Sequence, residues 1–239
     1  MSNSHGNGRK AVVVFSGGQD STTCLYWAMD QYGAGNVRAL SFNYGQRHAV
    51  ELQAAKNIAA MAGVGHEIVD VPNVLRSTSP LLSDTPLETY ASFEEMDRVI
   101  GNRVELTFVP MRNAFFLTLA ANYAVANDAF TLVTGVCESD NANYPDCRES
   151  FVWAQEEAIN KALGMSGFEI RAPLLKLDKE GIVRLSATLP GCWEALSFSH
   201  TCYAGQVPPC GECHSCVLRA EGFARAGMVD PLIERKRAA

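Results

Sequence analysis

The stretch Phe15-Ser16-Gly17-Gly18-Gln19-Asp20-Ser21-Thr22 constrains this chain more than any other, because it sets two glycines and two serines where an apolar strand hands over to a helix. Before it, Ala11-Val12-Val13-Val14-Phe15 is apolar and β-branched, the pattern of a strand buried on both faces. After it, Cys24, Leu25, Ala28 and Met29 recur with helical spacing over residues 21–30. Glycine lets backbone approach an anion closely, and a helix N-terminus offers unpaired N–H groups and a favourable dipole. The segment therefore reads as a phosphate grip built from backbone, with the serine hydroxyls as added donors. The plainer alternative is a tight strand-to-helix turn, which does not need the two-serine frame. No lysine follows the second glycine, so this is not the G-x-x-x-x-G-K-[ST] loop, nor does it fit G-x-G-x-x-G.

At 239 residues the chain has room for one large α/β domain and a small appended module. A formal net charge of −6 argues against a broad nucleic-acid surface, so no nucleic-acid partner is expected. Arg219, Arg225, Arg235, Lys236 and Arg237 make the C-terminal end basic and read as a solvated tail. No apolar run reaches the length of a membrane span, and the polar leader, residues 1–9, lacks the apolar core of a signal peptide and reads as disordered. Those features point to the cytoplasm, where thiols stay reduced. The eight cysteines are accordingly read as metal ligands or core residues before disulfides.

Strand candidates recur at residues 10–15, 37–43, 66–71 and 131–135, with helical patterns at 21–32, 47–62 and 112–127. That alternation predicts an α/β fold, a parallel sheet with helices on both faces, occupying residues 10–188. Ligands of such sheets bind beyond the carboxyl ends of the strands, where the grip lies. Residues 76–105 break the pattern with a Ser/Thr/Pro-rich run and then an acidic one, and read either as a mobile cover over the site or as a surface excursion.

Near the C-terminus, Cys202, Cys210, Cys213 and Cys216 supply four thiols within fifteen residues, in two overlapping Cys-x-x-Cys turns and one upstream position. Four sulfurs make a closed tetrahedral zinc site with no open position, so a single structural Zn²⁺ is expected to pin residues 189–239. A Cys-x-x-Cys-x-x-Cys triplet also serves iron–sulfur clusters, but here the fourth cysteine is upstream and no Cys-Pro follows. His214, inside the knuckle, reads as a solvent-facing turn residue, with metal ligation as its alternative. Of the other cysteines, Cys24 reads as core, and Cys137 and Cys147 flank the presumed site as small packing residues or reactive thiols.

The grip alone is similar to the pyrophosphate loop of the enzymes that split ATP into AMP and pyrophosphate. Adding Asn43-Tyr44-Gly45-Gln46-Arg47-His48, Phe108-Val109-Pro110-Met111-Arg112-Asn113, Thr134-Gly135-Val136-Cys137-Glu138, Tyr144-Pro145-Asp146-Cys147-Arg148 and the four cysteines, the chain from Lys10 to about Gly227 resembles the 7-cyano-7-deazaguanine synthases of the queuosine pathway. The resemblance implies an adenine-nucleotide α-hydrolase-like, Rossmann-like fold and an ATP-dependent ligase that turns 7-carboxy-7-deazaguanine and ammonia into the nitrile. It also suggests a homodimer, although no residue here establishes an interface.

On that resemblance the nucleotide-binding stretch runs through Phe15, Ser16, Gly17, Gly18, Gln19, Asp20, Ser21, Thr22, Thr23, Cys24 and Leu25, with Arg47. Asp20 either holds Mg²⁺ beside ATP or caps the helix. Arg47 either reaches phosphate or pairs with Glu51 one turn on. Arg112 suits bidentate binding of phosphate or carboxylate. Asp146 would meet the guanine-like edge of the substrate and Arg148 its carboxylate, unless the segment is simply a Pro turn with an Asp cap. Lys176 either neutralises charge at the α-phosphate or is an exposed lysine. The rival readings are a tRNA-thiolating relative that uses Cys137, a ligase amidating another carboxylate, and a non-catalytic ATP-binding module.

Overall fold

The computed structural model describes residues 8–46, 50–139 and 142–237. Its chain begins with β1 (Ala11–Val14), α1 (Gln19–Tyr32), β2 (Val37–Asn43), α2 (Val50–Ala62) and β3 (Gly65–Asp70), then α3 (Phe93–Ile100) and α4 (Arg112–Ala126). It continues through β4 (Thr131–Val133), α5 (Glu149–Leu163), β5 (Glu169–Arg171), α6 (Lys179–Thr188), α7 (Cys192–Leu196), α8 (His214–Ala226) and α9 (Pro231–Arg237). The strands form one parallel sheet in the order β3-β2-β1-β4-β5.

Successive strand residues point to opposite faces, and each face buries its own core. Val13, Ala39 and Val133 pack with Leu25 and Ala28 of α1, Ile58 of α2, Ile182 of α6 and Leu196 of α7. Val12, Leu40 and Leu132 pack on the other side with Leu117 and Ala121 of α4 and Val152 and Ile159 of α5. Helices therefore cover both faces, as the sequence predicts. β5 was absent from that prediction, because Glu169-Ile170-Arg171 is a three-residue edge strand whose charged ends hide its one buried side chain.

The chain leaves β1 toward β2 on one side and reaches β4 on the other. The loop after β1 thus sits where the strand order reverses, the place at which an open parallel sheet splays to form a crevice.

Residues 76–105 contain a helix where the sequence suggested only a loop. The Ser92 hydroxyl caps α3 by accepting from the Glu95 N–H at 3.2 Å, while the Glu95 carboxylate accepts from the Ala91 N–H at 2.7 Å. This is close to a capping box. Met96 and Ile100 then bury against Val217 and Leu218 of α8, worth about 1.5–3 kcal/mol for each fully buried side chain. A bridge between Thr89 and Cys213 and the Tyr90 N–H to Glu212 carbonyl bond at 2.8 Å join the same segment to the cysteine turn.

The basic C-terminal end is not a simple solvated tail. Arg219 is 4% exposed and grips Asp230 with two bonds of 2.6 and 2.8 Å, and donates a third to Ser199 Oγ at 2.8 Å. Burial of that guanidinium is tolerable only because its donors are matched by a carboxylate held in bidentate geometry. The leader's residues 1–7 lie outside the described residues, and among the described ones no helix is long and apolar enough to cross a membrane.

Candidate active site and metal centre

The loop after β1 folds on its own serines. Ser21 Oγ accepts from the Ser16 N–H at 3.2 Å, lies 3.1 Å from Ser16 Oγ, and donates to the Gly18 carbonyl at 3.2 Å, while Ser16 Oγ accepts from the Gly18 N–H at 3.3 Å. Gly17 has φ +83°, and a Cβ there would stand 2.6 Å from the Ala55 nitrogen and 2.7 Å from the Glu51 carbonyl oxygen of α2. The loop thus needs glycine twice over, for its left-handed backbone and for the close approach of α2. Gly18 is the N-cap of α1 and no side chain caps it; the first turn, with N–H groups that have no carbonyl of their own helix to bond, lines the cavity described next.

Beyond the loop lies a cavity of about 300 Å³. Among the described residues, Gln19 Nε2, Asp20 Oδ1, Thr22 Oγ1, Thr201 Oγ1 and both ring nitrogens of His214 are buried without a hydrogen-bond partner. Gln19, Asp20, Thr201 and His214 line this cavity. An unpaired buried polar atom costs about 1–3 kcal/mol, so such a concentration at one place marks a site shaped for a polar ligand. The Gly17 carbonyl accepts from the His200 N–H at 2.9 Å, which ties the segment carrying Thr201 to the loop.

The facing wall begins at α4. Met111, at φ +65°, turns the chain so that Arg112 and Asn113 open the helix onto the cavity. Burial opposes the Arg112 charge, but the Tyr44, Tyr144 and Tyr203 phenols and the Asp146 carboxylate outweigh it and raise its proton affinity. Phe42 stacks on Phe116 with ring centres 4.5 Å apart, and Tyr44 tilts against the same ring at 5.2 Å, giving the wall a flat aromatic edge. Glu51, in the first turn of α2, also faces the cavity, and burial lifts its carboxyl to about 7 even though the Arg112 charge pulls the other way.

Apart from Gly17 and the four knuckle cysteines, the sequence-predicted residues separate into four groups. Phe15, Ser16, Gly18, Gln19, Asp20, Ser21 and Arg112 come together on the cavity wall. Thr22, Thr23, Cys24 and Leu25 are fully buried along α1 instead, because its helical turn carries them from the crevice into the core, where the Cys24 thiol donates to the Thr134 carbonyl at 3.5 Å. Arg47, with His48, lies outside the described residues.

Asp146, Arg148 and Lys176 are placed away from the lining. Asp146 is buried and caps α4: its carboxylate accepts from the Asn113 N–H at 3.3 Å, and its carbonyl from Asn113 Nδ2 at 3.2 Å. Burial raises its proton affinity, countered by the Asn113 N–H and Arg112. Arg148 is an exposed residue at the N-cap of α5. Lys176 has a side chain 61% exposed and bridges Glu138 at 2.8 Å and Glu149 at 3.0 Å.

Among the described residues, the lysine on the cavity wall is Lys179, whose ammonium pairs with Asp20 Oδ2 at 2.6 Å. A Cβ on Gly222 of α8 would lie 2.8 Å from the Lys179 Cβ, so the close α6–α8 crossing fixes where this lysine stands. The run Asp178-Lys179-Glu180-Gly181, with Asp178 capping α6 through the Gly181 N–H at 2.8 Å, was the available signal for a residue pinned at a helix start. Glu51 gave none beyond its spacing from Arg47, which suggested only an ion pair along the helix.

The four knuckle thiols converge: one Sγ atom from each of Cys202, Cys210, Cys213 and Cys216 lies within 4.8 Å of all the others. Backbone N–H groups of Cys210 and Cys213 donate to the sulfurs of Cys202 and Cys210 at 3.4 and 3.3 Å, bonds that favour thiolates. Sulfurs gathered this way, with main-chain donors around them, suit a tetrahedral cation. His214 follows directly, and the structure corrects its expected exposure: it is 2% exposed and faces the cavity, because it opens α8 behind the knuckle. Burial, and then the Lys179 charge, push its imidazole down to about 4.

Residues 10–227 match the family model described as queuosine biosynthesis protein QueC. The chain is 49% identical over 230 residues to a 7-cyano-7-deazaguanine synthase of Chromobacterium violaceum, covering 96% of this chain and 95% of that protein. It is 50% identical over 226 residues to the 7-cyano-7-deazaguanine synthase of Laribacter hongkongensis, covering 94% of each. Among solved structures, a U34-tRNA thiolase from Methanococcus maripaludis with its [4Fe-4S] cluster superposes with a TM-score of 0.50 at 18% identity, covering 92% of this chain and 66% of that one, a likeness of fold.

Proposed function

Since the chain belongs to the QueC family of queuosine biosynthesis proteins, and is thereby an ATP-dependent ligase, we propose that its cavity converts 7-carboxy-7-deazaguanine and ammonia into 7-cyano-7-deazaguanine. The observation that supports this at the level of atoms is the set of unpaired polar groups around the Ser16–Ser21 loop, sharing one cavity with Arg112 and Lys179. A carboxylate is a poor electrophile, so one of its oxygens must first become part of a good leaving group. Attack of that oxygen on the α-phosphate of ATP forms an acyl adenylate and expels pyrophosphate. Ammonia then displaces AMP to give the amide, and a second adenylation, on the amide oxygen, makes its loss as AMP possible.

No step demands a covalent enzyme nucleophile, so positioning and charge stabilisation carry the catalysis. The loop and the α1 N-terminus hold the departing pyrophosphate. Lys179 and Arg112 offset the negative charge that builds at the α-phosphate. Asp20 Oδ1 would hold Mg²⁺ against the phosphates, since a hard cation takes carboxylate and phosphate oxygens. The aromatic edge of Phe42, Tyr44 and Phe116 offers stacking for a flat heterocycle. The four thiolates would hold one zinc ion, which supplies local folding free energy and no open coordination position.

ATP cleavage tests this reading. With Mg²⁺ and 7-carboxy-7-deazaguanine present, the protein should release AMP and pyrophosphate, not ADP, and release should depend on the acid. Lys179→Met should lower acid-dependent AMP release by about a hundredfold, the scale of losing one preorganised charge-stabilising group. Lys176→Met should leave it within a factor of two or so, since that lysine is an exposed ion-pair partner. ADP as product, or equal loss in both variants, would contradict this reading.

A further inference from the structure

We infer that Glu51 is the general base for nitrile formation, the group that takes the protons leaving the ammonia nitrogen. The inference rests on the ligase reading above and adds a residue to it. Three N–H bonds break when ammonia becomes a nitrile nitrogen. One breaks as ammonia attacks the acyl carbon and AMP leaves, giving R–CONH₂. After the amide oxygen attacks the α-phosphate of a second ATP and expels pyrophosphate, the iminium R–C(OAMP)=NH₂⁺ loses a second proton. The third leaves as the C–O bond breaks, its electron pair departing on AMP and the N–H pair completing the C≡N bond. Each proton passes to the base and from it to solvent.

Among the described residues two carboxyls line the cavity, Asp20 and Glu51. Asp20 Oδ2 pairs with Lys179 at 2.6 Å, and in the reading above its Oδ1 is taken by Mg²⁺. Glu51 lines the cavity from the first turn of α2, and its backbone carbonyl lies against the loop at Gly17. Its backbone therefore abuts the phosphate loop, while its carboxyl lines the same cavity as the aromatic wall and interacts with Arg112 and the Tyr44 phenol. Among the described residues, the charged and titratable groups bearing on Glu51 are Arg112 from α4 and the Tyr44 phenol from the segment after β2. Its chain neighbours Arg47 and His48 lie outside the described residues. Because burial outweighs Arg112 and sets its proton affinity at about 7, Glu51 is a neutral acid below that pH and a base above it.

The test separates adenylation from proton removal. Acid-dependent exchange of labelled pyrophosphate into ATP, measured without ammonia, reports adenylation alone. In Glu51→Gln this exchange should stay within about threefold of wild type, while nitrile formation from ammonium should fall by about a hundredfold or more. With kcat/KM expressed per free ammonia, so that the titration of ammonium itself cancels, the wild type should lose activity as pH drops through about 7, and the residual activity of Glu51→Gln should lack that limb. Glu51→Asp should restore part of the rate and shift the limb. Nitrile formation within threefold of wild type in Glu51→Gln, or an unchanged acidic limb, would overturn the assignment. So would a loss of exchange matching the loss of nitrile, which would make Glu51 a support for Arg112 and the nucleotide. Wild-type protein lacking acid-dependent exchange would instead strike the ligase reading itself.

Discussion

Replacing Gly17 with alanine is expected to abolish ATP-dependent turnover and to destabilise the fold at the same time. A non-glycine residue held at φ +83° costs about 1–3 kcal/mol in strain alone. Here the added Cβ also meets backbone, at 2.6 Å from the Ala55 nitrogen and 2.7 Å from the Glu51 carbonyl, and backbone cannot swing aside as a flexible side chain can. Either α2 retreats or the loop opens. Both move the phosphate grip, and a displacement of about 1 Å at a reacting group costs about a hundredfold in rate. Gly63→Ala is the matched control: its φ is +67°, but nothing lies within 4 Å of the new Cβ. Urea titration and steady-state assays of both variants decide the matter. Gly63→Ala should lose stability by about 1 kcal/mol and keep its activity. Gly17→Ala active at near wild-type rate would contradict the packing argument.

How far this site was legible in the sequence follows from how local each signal is. The grip was readable because strand, turn glycines and helix start are adjacent in the chain, and the knuckle because four cysteines fall within fifteen residues. The two-faced parallel sheet followed from the alternation of strand and helix patterns, although β5 was too short to register. Lys176 drew attention in place of Lys179 because both follow the same Pro173-Leu174-Leu175 run, and only the Gly222 crossing with α8 decides which one reaches the cavity. Asp146 looked like a substrate contact because its partner, the start of α4, lies 33 residues back in the chain. Glu51 drew notice only as a partner for Arg47, because its raised proton affinity comes from desolvation in the cavity wall, a property of tertiary packing that no local pattern encodes.

Cys213→Ser is expected to remove the bound metal and loosen two distant segments together. Cys213 stands at the junction: it bridges Thr89, its turn accepts the Tyr90 N–H at Glu212, and it opens α8, on which α3 packs. Ser215 Oγ, two residues on, donates to the Thr201 carbonyl at 2.5 Å, and His200 next to it is bonded to Gly17. The knuckle thus links residues 88–100 to the phosphate loop. Structural zinc sites supply folding free energy on the order of 10 kcal/mol to the segments they close, so loss of one ligand should be felt well beyond the turn. Metal analysis should find about one zinc per wild-type chain and far less in the variant. Hydrogen exchange should rise across residues 88–100 and 199–219, while the sheet core around Val12, Val13 and Leu132 stays protected. A metal-free variant with unchanged exchange would contradict the structural role, and iron in place of zinc would contradict the four-thiolate zinc assignment.

The central claim is that the phosphate grip and the wall facing it together make a nitrile. Its most direct test is mass spectrometry of the product formed from 7-carboxy-7-deazaguanine, ATP, Mg²⁺ and ¹⁵N-ammonium by the full-length, metal-loaded protein. The account predicts 7-cyano-7-deazaguanine carrying the label in its nitrile, with about two AMP released per nitrile, one for each activation of oxygen that the chemistry requires. AMP released while the product stops at the unlabelled acid, or no turnover by folded, metal-loaded protein, would contradict it.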